Sequence, residues 1–249
     1  MVMSDGLTMY FSSDRPGGFG DLDIYVTKRN SRNDAWGEPV NLGETINSAA
    51  SDHSVTISND GHRIIYTSER ESGFGAGDLF VSYREDITSD AQWSKSENMG
   101  DWINTEKLEA CPFFHYENNT IKLYYMGFRE SSIGEADLYY SVWDEINQKF
   151  QSPILLDKVS SIAWDMHFEP HAGLIWSNRE GGIGKDDIWM ASFDKNDQEW
   201  GNPKCLKGNV NTVHSEGMPT ITHDFSELYF HSDRPGGQGS FDIYLAAKE

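Results

Sequence analysis

The sequence predicts an all-β protein, a five-bladed β-propeller of four-stranded antiparallel meanders whose terminal blades are incomplete. The first observation is the string Ser-Asp-Arg-Pro-Gly-Gly, which begins at Ser13 and returns at Ser232, with three weaker copies between. In every copy an Asp follows the Arg by 8 residues. The copies recur every 50–60 residues, roughly, a period that is typical of propeller blades. The arginines are Arg15, Arg70, Arg129, Arg179 and Arg234, and the aspartates are Asp23, Asp78, Asp137, Asp187 and Asp242.

Each repeat contains four predicted strands in a fixed order. The first begins at an acid, the second is the aromatic run before the Arg, the third begins at the repeated Asp, and the fourth begins at a large aromatic residue. The Gly-rich segment between Arg and Asp is the hairpin loop that joins the second and third strands. The acids are Asp52, Glu109, Asp165 and Glu216, and the aromatic residues of the fourth strand are Trp36, Trp93, Phe150 and Trp200.

We expect one domain over residues 1–249, because no linker divides the repeats and the length suits a single large domain. The last repeat stops after its third strand, and the first repeat begins partway along its acid strand, without the acid. The two ends therefore predict either a trimmed gene product or an unusual closure of the propeller.

Charge and composition exclude several classes of function. The chain carries 20 Lys+Arg against 40 Asp+Glu, a formal net charge of −20. This balance argues against nucleic acid as the main partner and against anionic membrane surfaces. No apolar run is long enough to insert into a membrane, and the first residues have no signal-peptide pattern. Cys111 and Cys205 lie on strands of different blades, so we expect them to be unbonded.

The order of the strands predicts where the acids meet. In a meander, the first strand of a blade begins on the same face of the propeller as the loop between the second and third strands. The first strand is also the one nearest the central channel. The acids Asp52, Glu109, Asp165 and Glu216 should therefore surround one mouth of the central channel, among the Gly-rich loops. Three interpretations stay open: pairing with the repeated arginines, catalysis of glycoside hydrolysis by two carboxylates, or binding of a cation or another ligand.

The repeated Arg and Asp favour structural roles because they occur in every blade. The arginines predict ion pairs with nearby acids, with anion binding as the alternative. The repeated Asp should accept backbone N–H bonds within its loop. Calcium ligation is the alternative there, and only two places offer paired carboxylates, Asp21 with Asp23 and Asp186 with Asp187.

Residues that do not recur in the other blades are stronger candidates for a functional role. Trp102 and Trp164 lie in loops that lead to acid strands, where an indole can stack on a sugar, hold a peptide or simply pack the loop. His53, His167 and His214 lie near the acids. They are candidates for a base or for ligands of a divalent metal, with a structural role as the alternative.

The Ser-Asp-Arg, Gly-x-Gly and Asp-Ile-Tyr strings resemble the WD-like propeller repeat of the TolB type, and the resemblance covers nearly the whole chain. It implies a propeller that lies outside the cytoplasm, in the periplasm or exported, and contacts proteins or glycans. Blade three departs from the pattern, with Phe128 before its Arg and Ser132 in place of a Gly, and blade four has Asn178 in place of an acid.

Together these observations predict a non-catalytic module that binds a protein or glycan at the channel mouth on the loop-rich face. No cofactor is expected, although a divalent cation stays open. The alternative is a glycan-active enzyme, similar to glycoside hydrolases, that uses the carboxylates at the channel mouth. The predicted ligand-binding residues are Trp102, Trp164, His53, His167, Asp52, Glu109, Asp165 and Glu216.

Overall fold

The computed structural model describes residues 1–90, 92–117 and 119–247, and the regular elements in these ranges are all strands. Five small antiparallel sheets form a five-bladed β-propeller, which confirms the predicted fold. None of the described residues belongs to a helix with the length and apolar character that a membrane span requires.

The sheets follow the predicted order of strands. Blade one contains β1 (Thr8–Ser13), β2 (Asp23–Lys28) and β3 (Val40–Asn41). Blade two contains β4 (Asp52–Ile57), β5 (Arg63–Ser68), β6 (Asp78–Tyr83) and β7 (Glu97–Asn98). Blade three contains β8 (Glu109–Glu117), β9 (Thr120–Gly127), β10 (Asp137–Asp144) and β11 (Lys149–Phe150), and β12 (Ile154–Leu155) also pairs with β10. Blade four contains β13 (Asp165–Glu169), β14 (Leu174–Ser177), β15 (Asp187–Asp194) and β16 (Glu199–Cys205). Blade five contains β17 (Glu216–Ile221), β18 (Glu227–Ser232) and β19 (Asp242–Ala247).

The number of strands agrees with the prediction of incomplete terminal blades, and blade three differs from it because a fifth short strand, β12, pairs with β10. The described sheets contain three to five strands, and the two terminal blades contain three each. In blade one, a single bridge between Val2 and Met9 stands where the acid strand lies in the other blades. The outer strands β3 and β7 are two residues long, and Trp36 and Trp93 lie ahead of them rather than within them.

The density of internal contacts divides the chain into two compact units, residues 1–123 with 141–153 and residues 124–140 with 154–249. In the first unit, apolar residues of blades one and two form one core cluster, which includes Tyr10, Ile24, Ile64 and Tyr66. In the second unit, a cluster joins blades four and five through Leu174, Ile188, Leu228 and Phe230. The expectation of one domain over residues 1–249 stays a prediction.

The same backbone hydrogen bond attaches each acid strand to the blade before it. The N–H of Asp52 donates to the Leu22 carbonyl at 2.7 Å, and the N–H of Glu109 donates to the Gly77 carbonyl at 2.9 Å. In the second unit, Asp165 and Glu216 repeat the arrangement on the carbonyls of Ala136 and Asp186. Each acid therefore begins its strand beside the loop that ends in the repeated Asp of the preceding blade.

Candidate functional site

The repeated Asp organises the Gly-rich loop of its own blade. Asp187 accepts hydrogen bonds from the backbone N–H groups of Ile183 at 2.8 Å and Gly184 at 3.1 Å. Equivalent bonds reach Asp23, Asp78, Asp137 and Asp242. These contacts confirm the predicted role in the turn. They also explain a glycine of the motif, because a Cβ on Gly182 would collide with the Asp187 carboxylate.

The acids that begin the inner strands are buried and bonded. Asp52 is 0% exposed, and its carboxylate accepts hydrogen bonds from Arg70 Nη2 at 2.6 Å and from the Ser48 backbone N–H at 2.6 Å. Asp165 and Glu216 are bonded in the same way, by Arg179 and Arg234 and by the turns that begin at Ser161 and Thr212. Glu109 is also 0% exposed and accepts bonds from both the backbone N–H and the hydroxyl of Thr105.

These contacts support pairing with arginine as the role of three of the four acids. A glycosidase needs two carboxylates that reach the scissile bond. Asp52, Asp165 and Glu216 have instead a guanidinium partner and no exposed surface. We conclude that these three acids hold each inner strand to the loop of its own blade.

One accessible cluster lies next to Asp52 in the first unit. His53 follows Asp52 on β4, and its Nε2 lies 3.5 Å from Oε1 of Glu69. Its Nδ1 lies 2.9 Å from the Ser54 hydroxyl. The Glu69 side chain is 48% exposed, and its hydrogen bond with His53 is the main reason why its pKa is lowered. The cluster therefore combines an ionised, solvent-exposed carboxylate with an imidazole.

A second accessible carboxylate, Asp14, occupies the position of Glu69 in blade one. Asp14 is exposed, and neither a hydrogen bond nor an ion pair joins its side chain to another described residue. The backbone N–H of Ser54 donates to the Ser12 hydroxyl at 3.3 Å, which ties the end of β1 to the cluster on β4. The predicted site omitted both Asp14 and Glu69. The signal was available, because the residue between Ser and Arg is acidic in blades one, two and five.

The other predicted histidines have different surroundings. His214 Nδ1 lies 3.6 Å from Asp233, the residue of blade five that corresponds to Glu69. The pKa of Asp233 is lowered, mainly by a hydrogen bond from the Ser215 backbone. His167 is 3% exposed and lies opposite Trp176 in the pairing of β13 and β14, so it is closed to solvent.

The two predicted tryptophans also differ. Trp164 donates its indole N–H to Glu135 and packs edge-on against Phe128, with ring centroids 5.2 Å apart. The two departures from the repeat in this part of the molecule therefore pack on each other, which favours loop packing as the role of Trp164. Trp102 is 47% exposed and lies at a pocket.

No arrangement of three or more His, Cys, Asp or Glu side chains in the described ranges is suited to hold a metal ion. In each of the two paired carboxylates, one acid already accepts backbone N–H bonds within its own loop. These acids are Asp23, which is paired with Asp21, and Asp187, which is paired with Asp186.

No family model and no curated protein matches the chain. Solved structures match its fold at low sequence identity. TolB from Acinetobacter baumannii has a TM-score of 0.57 at 12% identity, and the alignment covers 98% of this chain and 51% of TolB, about half its length. The α-L-arabinofuranosidase PaAbf62A from Podospora anserina, in complex with cellotriose, has a TM-score of 0.60 at 11% identity. The alignment covers 96% of this chain and 86% of the arabinofuranosidase. An endo-arabinase from Bacteroides thetaiotaomicron has a TM-score of 0.57 at 12% identity. The alignment covers 100% of this chain and 95% of the endo-arabinase.

These matches correct the expectation of a non-catalytic binding module. The fold is shared with TolB, but most of the similar structures are glycoside hydrolases. The reasoning from the repeat was wrong because it took regular, structural motifs in every blade as evidence against catalysis. The same fold occurs in glycoside hydrolases, so regular motifs in every blade do not argue against catalysis.

Proposed function

We propose that the protein is a glycoside hydrolase whose reacting groups lie on the loop-rich face of blades one and two. The observation that carries the proposal is the contact of the exposed Glu69 with His53, next to the buried pair of Asp52 and Arg70. The exposed Asp14 follows the end of the neighbouring strand β1, where Ser12 accepts a hydrogen bond from the Ser54 backbone. Hydrolysis of a glycosidic bond requires a proton donor for the leaving oxygen and a base or nucleophile at the anomeric carbon. This cluster supplies groups for both roles within one unit of the molecule.

In this mechanism, Asp14 accepts a proton from water while the water oxygen bonds to the anomeric carbon. The bond between that carbon and the leaving oxygen breaks, and His53 donates the proton on Nδ1 to the leaving oxygen, which takes the place of the Ser54 hydroxyl at that nitrogen. Glu69 orients the imidazole through its contact with Nε2 and compensates the charge of the imidazolium form. The buried pair of Asp52 and Arg70 keeps the start of β4, and with it His53, in a fixed position.

The substrate that we propose is a glycan that contains arabinose. The support is limited to the fold, because similar structures include an α-L-arabinofuranosidase and an endo-arabinase. The TolB-type repeat is compatible with this function, since the repeat residues build the framework and the proposed reacting groups lie between them. We therefore also propose that the Ser-Asp-Arg and Asp-Ile-Tyr strings belong to a TolB-type repeat.

The experiment is an assay of released reducing sugar on arabinan, arabinoxylan and neutral polysaccharides without arabinose. We expect turnover on at least one arabinose-containing polymer. Glu69→Gln, His53→Gln and Asp14→Asn should each lower kcat/KM by a factor of about 100 or more, where about 100 is the lower end of the range for acid–base groups. Glu71→Gln is the matched control, because Glu71 is an exposed acid of the same loop outside the cluster.

Two results would contradict the proposal. One is a folded protein with no turnover on the whole panel. The other is turnover that all three cluster variants retain at the level of Glu71→Gln. Proton NMR of the first sugar anomer released then decides whether the configuration is inverted or retained, which tests the assignment of Asp14 as base toward water.

A further inference from the structure

A pocket of about 340 Å³ lies within the first unit, lined by residues of blades two and three. Its walls combine aromatic rings with cationic groups. Trp102 comes from the loop after β7, Trp143 from β10 and Tyr83 from the end of β6, and Arg63 and Lys149 add positive charge. Neither Trp143 nor this pocket was among the sequence-based candidates.

The two cations of the pocket rest on its two indoles. Lys149 Nζ lies 4.1 Å from the centre of the Trp102 ring, and Arg63 Cζ lies 5.2 Å from the centre of the Trp143 ring. Neither cation forms an ion pair with another described residue. Asp101 is the one acid among the lining residues, so the lining carries a formal charge of +1 from two cations and one acid.

This local charge is unusual for the chain as a whole, which has a formal net charge of −20. An anion approaches such a protein only where local cations outweigh the surrounding field. Ordinary packing does not require Trp102 either. It is 47% exposed, and the corresponding residue of blade one, which also precedes the Ile-Asn pair, is Thr45.

We propose that this pocket binds an acidic saccharide, a sugar ring that carries a carboxylate, as in a uronic acid. The apolar face of the ring would stack on Trp102, because exposed indoles offer a large, flat apolar surface with a polar edge. The carboxylate would bind to Arg63, whose planar guanidinium matches a carboxylate in two parallel hydrogen bonds, with Lys149 as a second positive charge. The proposal goes beyond the proposed hydrolase and does not depend on it, because no residue of the pocket belongs to the Glu69 cluster.

The test compares trigalacturonate with its methyl ester by isothermal titration calorimetry and by tryptophan fluorescence. The ester keeps the sugar rings and removes the charges. We expect the acid to bind at least tenfold more tightly than the ester. Added NaCl should weaken binding of the acid, because the cations are partly open to solvent.

Variants locate the binding site. Arg63→Met and Trp102→Ala should each weaken binding of trigalacturonate by a factor of ten or more. Lys95→Met is the matched control, because it removes an exposed cation of blade two that does not line the pocket. Glu69→Gln should retain the affinity, which separates this proposal from the hydrolase. Thermal unfolding of each variant shows whether it is folded.

Three outcomes would overturn the proposal: no binding of the acid, equal affinity for acid and ester, or unchanged affinity in folded Trp102→Ala. If benzoate binds to the wild type and competes with trigalacturonate, but trigalacturonate itself binds no better than its ester, the pocket recognises aromatic carboxylates and the saccharide assignment is wrong.

Discussion

Arg70 Nη2 lies 2.6 Å from Oδ1 of Asp52, and this pair joins the end of β5 to the start of β4 inside blade two. The same guanidinium donates to the Ile46 carbonyl at 2.7 Å and lies over the Phe80 ring. Asp52 has no exposed surface, whereas the Arg70 side chain is 19% exposed, so the ion pair replaces water around the carboxylate. The arrangement recurs with Arg179 and Arg234, which makes it a framework feature of the repeat.

Asp52→Asn should therefore destabilise the protein strongly. The substitution leaves the Arg70 charge uncompensated, and because this side chain is 19% exposed the cost should be about 3 kcal/mol, the lower end of the range for buried ion pairs. Urea unfolding followed by tryptophan fluorescence measures the change. Asp21→Asn, which removes an exposed acid, should alter the free energy of unfolding by no more than about 0.5 kcal/mol. Equal effects of the two substitutions would show that the ion pair is not structural.

The framework could be predicted from the sequence because each of its contacts lies within a repeat or joins neighbouring repeats. The spacing of 8 residues between Arg179 and Asp187, for example, places both at the ends of one hairpin loop, and the structure confirms this. The bond from Asp187 to the loop N–H groups follows from ordinary turn chemistry.

The accessible groups could not be assigned in the same way. Glu69 looks like part of the repeated motif, and only its exposure and its contact with His53 distinguish it from the buried acids. The pocket depends on Trp102 and Trp143, which come from different blades and are 41 residues apart in sequence. A repeat pattern describes what blades share, whereas such a pocket depends on where neighbouring blades differ.

Cys111 should react very slowly with alkylating reagents in the folded protein. Burial raises the pKa of its thiol to about 11. At pH 8, two units of pKa above the ordinary value reduce the thiolate fraction by a factor of about 100, and the thiolate is the reactive form. Mass spectrometry of iodoacetamide-labelled peptides, with and without urea, measures the protection. Rapid labelling of Cys111 in the folded state would contradict the burial of this residue.

His231 should destabilise the folded state as the pH falls. Burial lowers its pKa to about 4, and its Nε2 has no hydrogen-bond partner among the described residues. Trp176 packs edge-on against the ring, with centroids 4.9 Å apart. The unfolded chain binds a proton at the ordinary pKa near 6.5, whereas the folded chain resists protonation until about pH 4. Stability from this group is complete above pH 6.5 and decreases between pH 6.5 and 4 by about 3 kcal/mol.

His231→Phe keeps an aromatic ring against Trp176 and removes the titration. The difference in the free energy of unfolding between variant and wild type should therefore shift in favour of the variant as the pH falls from 7 to 4.5. Urea unfolding at intervals of half a pH unit measures this difference. A difference that does not change with pH would exclude the burial of a neutral imidazole.

Glu169 should act in the opposite direction over nearly the same range. It is 1% exposed, and its carboxylate accepts hydrogen bonds from the backbone N–H groups of His171 at 3.0 Å and Ala172 at 2.9 Å. Burial outweighs these bonds and raises its pKa to about 7. Between pH 4.5 and 7 the unfolded chain loses this proton while the folded chain keeps it, so stability falls by about 3 kcal/mol as the pH rises.

The two groups should therefore nearly cancel in the wild type between pH 4.5 and 6.5, because His231 makes stability rise with pH where Glu169 makes it fall. Glu169→Gln should uncover the rise due to His231, and His231→Phe should uncover the fall due to Glu169. The unfolding free energy of the double variant should also depend only weakly on pH, because neither group is then present to titrate. The measurement is the slope of the unfolding free energy against pH in all four proteins, since that slope reports the difference in bound protons between the unfolded and folded states. Equal slopes in the wild type and both single variants would mean that neither group titrates as its burial requires.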